Sequence, residues 1–217
     1  MPTSMRIDFV SDVACPWCAV GLASLQQALA RSADAVQAEL HFQPFELNPD
    51  MAPEGEDPGE HLGRKYGSTP AQQAQIRATI AERGAAVGFA FKSDGRGRIV
   101  NTFNAHRLLH WAGLEGAERQ LALKRALMEA YHGRAERVDH DAVLLAAVRA
   151  AGLDEARARQ ILASDEFADD VRAAERRWQM AGIQSVPAVV INQRHLISGG
   201  QPPEVFEQAL RQIAAAP

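Results

Sequence analysis

Cys15 and Cys18 are the two cysteines of the 217-residue chain, and they bracket Pro16-Trp17 in a Cys-x-x-Cys. Two thiols at this spacing offer two kinds of chemistry: a dithiol–disulfide redox cycle, or half of a zinc site. Structural zinc wants four ligands, and the sequence has no second cysteine pair. A set of two cysteines and two histidines would have to recruit His106 and His110, one helical turn apart, and no spacing in the chain forces that. The redox reading asks for an ionised sulfur, because only a thiolate attacks a disulfide. A free cysteine has a pKa of about 8.5, and cysteines in such motifs lie at about 3.5–7.5. The difference is about 1.4–7 kcal/mol. A helix N-terminus supplies about 0.3–2 kcal/mol, which covers only the mild end. The remainder must come from hydrogen bonds to the sulfur. Pro16 and Trp17 bring no charge, and Arg6 is the nearest basic residue in sequence. Asp12, if ionised and close, would oppose the thiolate. The expectation is a depressed Cys15 pKa.

The elements around the pair suit this chemistry. Arg6-Ile7-Asp8-Phe9-Val10 reads as a buried strand just before it. Val20, Leu22, Leu25, Ala28 and Leu29 recur at helical spacing just after it. Pro16 fits the first helical position, where a missing N–H costs nothing. Cys15 therefore falls at the helix N-cap and Cys18 one turn in. Residues 38–47, with Leu40, Phe42 and Phe45, form a second strand. Strand, helix, strand implies a right-handed crossover between parallel strands.

Residues 51–67 are rich in proline, glycine and acid and read as a long surface loop. A helical block follows, with helices over 70–86, 102–112 and 118–131. Asp139 is a candidate cap for a helix carrying Leu144, Ala147, Val148 and Ala151 on one face. Asp154 opens a short helix to 163. The block interrupts an α/β pattern, so residues 63–165 read as a helical insertion and residues 1–62 with 166–217 as one discontinuous domain. The pattern resumes with Phe167, Val171, Ala174, Trp178 and Ala181 as an apolar stripe on one helix. Val186-Pro187 leads into a buried strand over 188–191. The turn Asn192-Gln193 and a strand over 194–198 complete a hairpin. Gly199-Gly200 breaks it, and a last helix from Pro202 or Pro203 turns Val205, Phe206, Ala209, Leu210 and Ile213 inward.

Hydrophobic residues make up 47% and charged residues 23%, enough for a core without covalent staples. The net charge of −4 and aromatic content of 6% give no support for nucleic-acid binding. No apolar stretch reaches the roughly 18 residues of a membrane span. Residues 1–6 show no basic run followed by an apolar segment, so the expectation is a cytoplasmic protein. In a reducing compartment a cysteine pair serves catalysis or metal binding rather than a structural bridge.

Taken together, Cys15-Pro16-Trp17-Cys18, Pro44-Phe45-Glu46-Leu47-Asn48-Pro49, Ala105-His106-Arg107-Leu108-Leu109, Gly182-Ile183-Gln184-Ser185-Val186-Pro187 and Ile197-Ser198-Gly199-Gly200-Gln201 span almost the whole chain. In this combination the sequence resembles the DsbA-like branch of the thioredoxin superfamily. It is most similar to the FrnE-type subgroup, related to 2-hydroxychromene-2-carboxylate isomerases and kappa-class glutathione transferases. The resemblance implies an α/β thioredoxin-like fold with a large all-helical insertion. It implies Cys15 as nucleophile, Cys18 as resolving thiol and a cis Pro187 facing them, with Pro16, Trp17 and Val186 beside the substrate. It also suggests Asn48, Asn101 and His106 as residues of the cleft, although His106 reads first as a packed helix histidine. Trp178 reads as packing, and the five histidines other than His106 and His110 as surface residues. Some relatives carry a second cysteine pair and this chain does not, so no relay between two dithiols operates here. In the isomerase branch serine usually stands where this chain has Cys15.

Three functions stay open on these residues: a thiol–disulfide oxidoreductase acting on protein or small-molecule disulfides, a glutathione-dependent isomerase or transferase, and a zinc-stabilised binding module. The expected partners are disulfide or dithiol substrates, with glutathione as a candidate co-substrate and no tightly bound cofactor. Neither nucleic acid nor membrane is expected, and a homodimer is open.

Overall fold

The computed structural model describes residues 1–95 and 97–216. Strand β1 (Thr3–Ser11) lies inside a four-stranded sheet of order β2-β1-β3-β4. It pairs in parallel with β2 (Val36–Pro44) and antiparallel with β3 (Ala188–Ile191), which forms a hairpin with β4 (His195–Ser198). Being central, β1 is buried on both faces: Met5, Ile7, Phe9 and Val10 are all inaccessible to solvent. Asp8, also buried, is held by the Arg6 guanidinium at 2.8 and 2.9 Å and by Gln43 Nε2 at 2.7 Å. A buried carboxylate is tolerated only with such partners.

Helix α1 (Pro16–Arg31) connects β1 to β2, as strand–helix–strand spacing predicts. After β2 come α2 (Pro58–Tyr66), α3 (Pro70–Ala86), α4 (Phe103–Glu115) and α5 (Ala117–Met128), which runs into a π-helical turn, Glu129–Gly133. Helices α6 (Asp141–Ala150), α7 (Glu155–Leu162) and α8 (Ala168–Met180) follow, and α9 (Pro203–Ala215) closes the chain. The first core packs α1 and α9 against the sheet through Ile7, Phe9, Leu22, Leu25, Phe206 and Leu210. A second, on the opposite face, gathers Val10, Phe45, Trp178, Ile183 and Val190. The third belongs mostly to the helices, yet it contains Val13 and Ala14. The loop leading into Cys15 is thus rooted in helical packing.

Several local expectations change. The 51–67 segment is not all loop. Asp57 caps α2 by accepting from the Gly59 and Glu60 amides, Pro58 sits in its first turn, and Gly67 ends it at φ 65°. Asp57-Pro58 carries a helix-start signal, but Gly59 and Gly63 weaken the pattern behind it, so the segment reads as loop. Asp139 does not cap α6. It pairs with Arg137 instead, and His140 takes the N-cap without a side-chain bond. Phe167 precedes α8 at φ 63° rather than joining its stripe, Ala181 is exposed, and Glu175 is buried on that face. Val205 points outward at 41% exposure. His61 and His132 are buried, each with a polar partner: His61 Nδ1 is 2.6 Å from Glu56, and His132 Nε2 is 2.8 Å from the Val13 carbonyl.

Edge strand β2 is covered by a side chain. Gln120 of α5 accepts from the Phe42 amide at 3.0 Å and donates to the Phe42 carbonyl at 3.3 Å, occupying both groups a further strand would take. The bond fixes α5 against the sheet, which brings Lys124 of the same helix toward the dithiol.

Candidate active site

Cys15 stands at the N-cap of α1 with extended backbone, φ −88° and ψ 115°. Its carbonyl accepts from the Cys18 amide at 3.0 Å, closing the first turn. Both cysteines are buried, Cys15 with 5% of its surface at solvent and Cys18 with none, so Cys15 is the less enclosed of the two. The Val186–Pro187 peptide is cis, and the Cys15 thiol donates to the Val186 carbonyl at 3.6 Å. The dithiol and the 186–187 loop, far apart in sequence, therefore form one surface.

Glycines make that closeness possible. A Cβ on Gly21 would come within 3.1 Å of Pro187 Cγ and 3.2 Å of Gly200 Cα. A Cβ on Gly200 would lie 2.8 Å from the Trp17 carbonyl oxygen. Trp17 is half-buried rather than free in solvent, because the 199–200 loop lies against it. Arg83 of α3 donates to the Gly200 carbonyl at 3.0 Å, tying a helix of the middle block to this loop.

The two sulfurs have opposite acidities. The Cys18 thiol, hydrogen-bonding to the Cys15 sulfur, lowers the Cys15 pKa, and the amides of Cys18 and Trp17 add to this. Burial and the Asp12 charge act against it, and the net direction is down. Burial drives Cys18 the other way, well above an ordinary thiol, and its role as donor to Cys15 reinforces the rise. The main causes of the lowering are hydrogen bonds from α1 rather than a neighbouring cation, as the energetics of the motif require.

Asp12, three residues before the nucleophile, is 1% exposed. Burial alone would raise its pKa. Facing His106, and accepting from the Leu47 and Ala14 amides, it is lowered instead. Those amides lie at 2.7 and 3.0 Å, and His106 Nε2 is 3.6 Å from Asp12 Oδ1. His106 thus lies behind the dithiol. Asn48 and Asn101 serve the loop after β2: Asn48 accepts from Lys65 Nζ at 2.7 Å, while Asn101 donates to Pro49 and Glu46 and accepts from the Phe103 amide. Neither asparagine is hydrogen-bonded to Cys15 or Cys18. No group of three or more His, Cys, Asp or Glu side chains among the described residues is arranged to hold a metal, so Cys15, Cys18, His106 and His110 do not form a four-ligand shell.

Lys124 escaped the sequence reading. It is 1% exposed, and the charges of Cys18, Asp12 and Cys15 bear on it. Burial nonetheless brings its pKa down to about 8. The signal was present in α5, where Gln120, Leu123, Lys124, Leu127 and Met128 follow helical spacing on the buried face. A lysine and a glutamine on an apolar stripe mark polar groups with buried work.

A dithiol at a helix N-cap, facing a cis proline on a β2-β1-β3-β4 sheet, defines a thioredoxin-fold protein with a redox-type site. The sequence matches the DSBA-like thioredoxin domain over residues 6–211, and the chain belongs to that family. The structure is similar to that of a probable DsbA oxidoreductase from Streptomyces coelicolor, with 36% identity over 96% of this chain and 89% of that one and a TM-score of 0.88. It shares its fold with 2-hydroxychromene-2-carboxylate isomerase, at 13% identity over 96% and 95% of the two chains and a TM-score of 0.70. It also shares it with the cytosolic disulfide reductase DsbM from Pseudomonas aeruginosa, solved with GSH, at 16% identity over 97% and 100% and a TM-score of 0.63. No protein of curated function matches the sequence. The family is one of thiol–disulfide oxidoreductases. No helix among the described residues is long and apolar enough to cross a membrane.

Proposed function

We propose that the chain is a thiol–disulfide oxidoreductase in which Cys15 is the nucleophile and Cys18 the resolving thiol, working toward reduction or isomerisation of protein or small-molecule disulfides. The observation that carries this reading is the inequality of the two sulfurs. Cys15 is the less enclosed of the two and is acidified by the thiol of Cys18, whereas Cys18 is fully enclosed and its pKa is driven up.

The cycle follows from that inequality. The Cys15 thiolate attacks one sulfur of a substrate disulfide, forming a mixed disulfide and expelling the other sulfur as a thiolate. Cys15 no longer needs the Cys18 proton, so Cys18 can lose it. The Cys18 thiolate attacks Cys15 Sγ and releases the second substrate thiol. Two electrons have passed to the substrate, and the protein holds a Cys15–Cys18 disulfide. A thiol such as glutathione resets it by the same exchange, acting as co-substrate without a dedicated cofactor. In a glutathione-poised cytoplasm an oxidising disulfide would be reduced, which is the reason for placing the net flow toward reduction or isomerisation.

Insulin and glutathione disulfide reduction, assayed alongside Cys18→Ser, tests the reading. The wild type should turn over, and the variant should accumulate a mixed disulfide through Cys15. A Cys18→Ser protein that keeps full turnover would sink the redox cycle and favour a glutathione-dependent isomerase or transferase.

A further inference from the structure

On the far side of Asp12 and Lys124 from the cysteine pair, a groove of ≈ 500 Å³ opens between edge strand β2 and helices α4, α5 and α8. That volume suits a small molecule. It is separate from the Cys15 surface: neither cysteine lines it, nor do Trp17, Val186 and Pro187. Its deep end is made by two nitrogen-bearing side chains with almost no exposure, Lys124 at 1% and His106 at 2%. Phe42 and Leu109, both buried, form apolar walls beside them.

These two nitrogens are poorly served from within the protein. His106 Nε2 has no hydrogen-bond partner, Asp12 Oδ1 standing just beyond reach at 3.6 Å. Among the described residues no carboxylate forms an ion pair with Lys124. Its Nζ instead lies 6.0 Å from the centroid of the Phe42 ring. A buried ammonium without a carboxylate in contact is costly to hold, and an anion brought alongside it would offset that cost. The charge along the groove points the same way. Asp170 is its one lining carboxylate, against Lys124, Arg177 and Arg6, although Asp8 neutralises Arg6. The apolar walls argue against a bare inorganic ion, and the single deep cation argues against a polyanion.

We propose that this groove binds a small organic monocarboxylate, its carboxylate on Lys124 Nζ beside His106 and its apolar body between Phe42 and Leu109. The ligand would lie behind the dithiol and leave the Cys15 surface open to disulfide substrates.

Benzoate and hexanoate are suitable probes, with benzamide as the uncharged control. Binding is followed on the full oxidised chain by amide chemical shifts and calorimetry. At least one acid should bind saturably and shift amides of α4 and α5, with benzamide much weaker. Lys124→Met removes the charge-assisted bond and should weaken binding about tenfold or more. Ala173→Glu places a carboxylate at an exposed position of the lining, away from the dithiol, and should weaken it several-fold. The proposal is overturned if neither acid saturates, if benzamide binds as well, or if Lys124→Met leaves affinity unchanged. Should Lys124→Met fail to fold, an unchanged affinity in Ala173→Glu overturns it equally.

Discussion

The Cys15 sulfur lies 3.6 Å from the carbonyl oxygen of Val186, with the thiol as donor. This bond exists only while Cys15 is protonated, because a thiolate has no hydrogen to give. Ionisation releases the Val186 carbonyl and transfers the sulfur to donors from α1: the Cys18 thiol and the amides of Cys18 and Trp17. The nucleophile thus changes partners as it is activated. The two sets sit on segments that pack through Gly21, Pro187 and Gly200.

Cys18 is the main donor to the Cys15 thiolate, so removing it should make Cys15 less acidic. A hydrogen bond to a charged group is worth about 1.5–3 kcal/mol, or about 1–2 pKa units. Cys18→Ala should raise the Cys15 pKa by about that much, and Cys18→Ser, which keeps a donor, by less. Titration of thiolate absorbance in the reduced proteins checks both. In the wild type, alkylation of Cys15 should rise with pH with a midpoint below that of an ordinary thiol, the direction in which its pKa is shifted. Equal pKa values in all three proteins would rule out the Cys18 thiol as the cause.

Lys124 makes a stability prediction with a definite sign. Its pKa falls from 10.5 to about 8 on folding, so the native state disfavours the ammonium. Above 10.5 both states are neutral and the cost vanishes. As pH falls toward 8 the unfolded chain takes up the proton first, and native stability drops. Over that window the loss is on the order of 3 kcal/mol. Denaturant melts of the wild type should therefore show stability rising between about pH 8 and 10.5 from this group. Lys124→Met should flatten that rise and be the more stable protein near neutral pH. Its mixed disulfide should also resolve more slowly, since Lys124 is one of the groups that ease Cys18 ionisation.

The same lysine illustrates what sequence can carry. The placement of Cys15, Cys18, Pro16 and Pro187 is legible because it is local or fixed by a motif: a helix start, a first turn, a proline before a strand. The parallel pairing of β1 with β2 follows from strand–helix–strand spacing, whereas the antiparallel pairing of β1 with β3 has no local signature. Lys124 lies more than a hundred residues from Cys18, and its nearness depends on Gln120 bonding to β2, a tertiary fact without a local signature. By sequence His106 fits helix packing, and only the fold sets it against Asp12. Asn48 and Asn101 show the converse: a family motif drew attention to them, and the structure gives them bonds that order the loop after β2.

Asp12 combines two opposed effects. Its charge holds the Cys15 pKa up, and its two oxygens take the Ala14 and Leu47 amides. Asp12→Asn removes the charge, so Cys15 should become more acidic than in the wild type. One face of the amide then meets an N–H with an N–H, leaving a buried donor unsatisfied at a cost of about 1–3 kcal/mol. The variant should pair faster thiol alkylation below neutral pH with a lower denaturant midpoint. A slower alkylation would reverse the sign assigned to Asp12.

Gly200 tests whether the contact between α1 and the 199–200 loop is needed for the site. An alanine there would put Cβ 2.8 Å from the Trp17 carbonyl oxygen and 3.5 Å from the Gly21 nitrogen, both backbone atoms that cannot rotate away. The loop must retreat, which loosens the Arg83 bond to the Gly200 carbonyl and uncovers Trp17. Overpacking of this kind costs about 1–3 kcal/mol. Gly200→Ala should lower the unfolding free energy by that amount and red-shift the Trp17 emission, read in a Trp111→Phe, Trp178→Phe background. Disulfide reduction should fall with it, because the surface facing Cys15 is displaced. Gly199→Ala is the informative control: its Cβ meets nothing closer than the Gln201 side chain at 3.6 Å, so any loss there should come from its backbone at φ 83° and leave Trp17 in place.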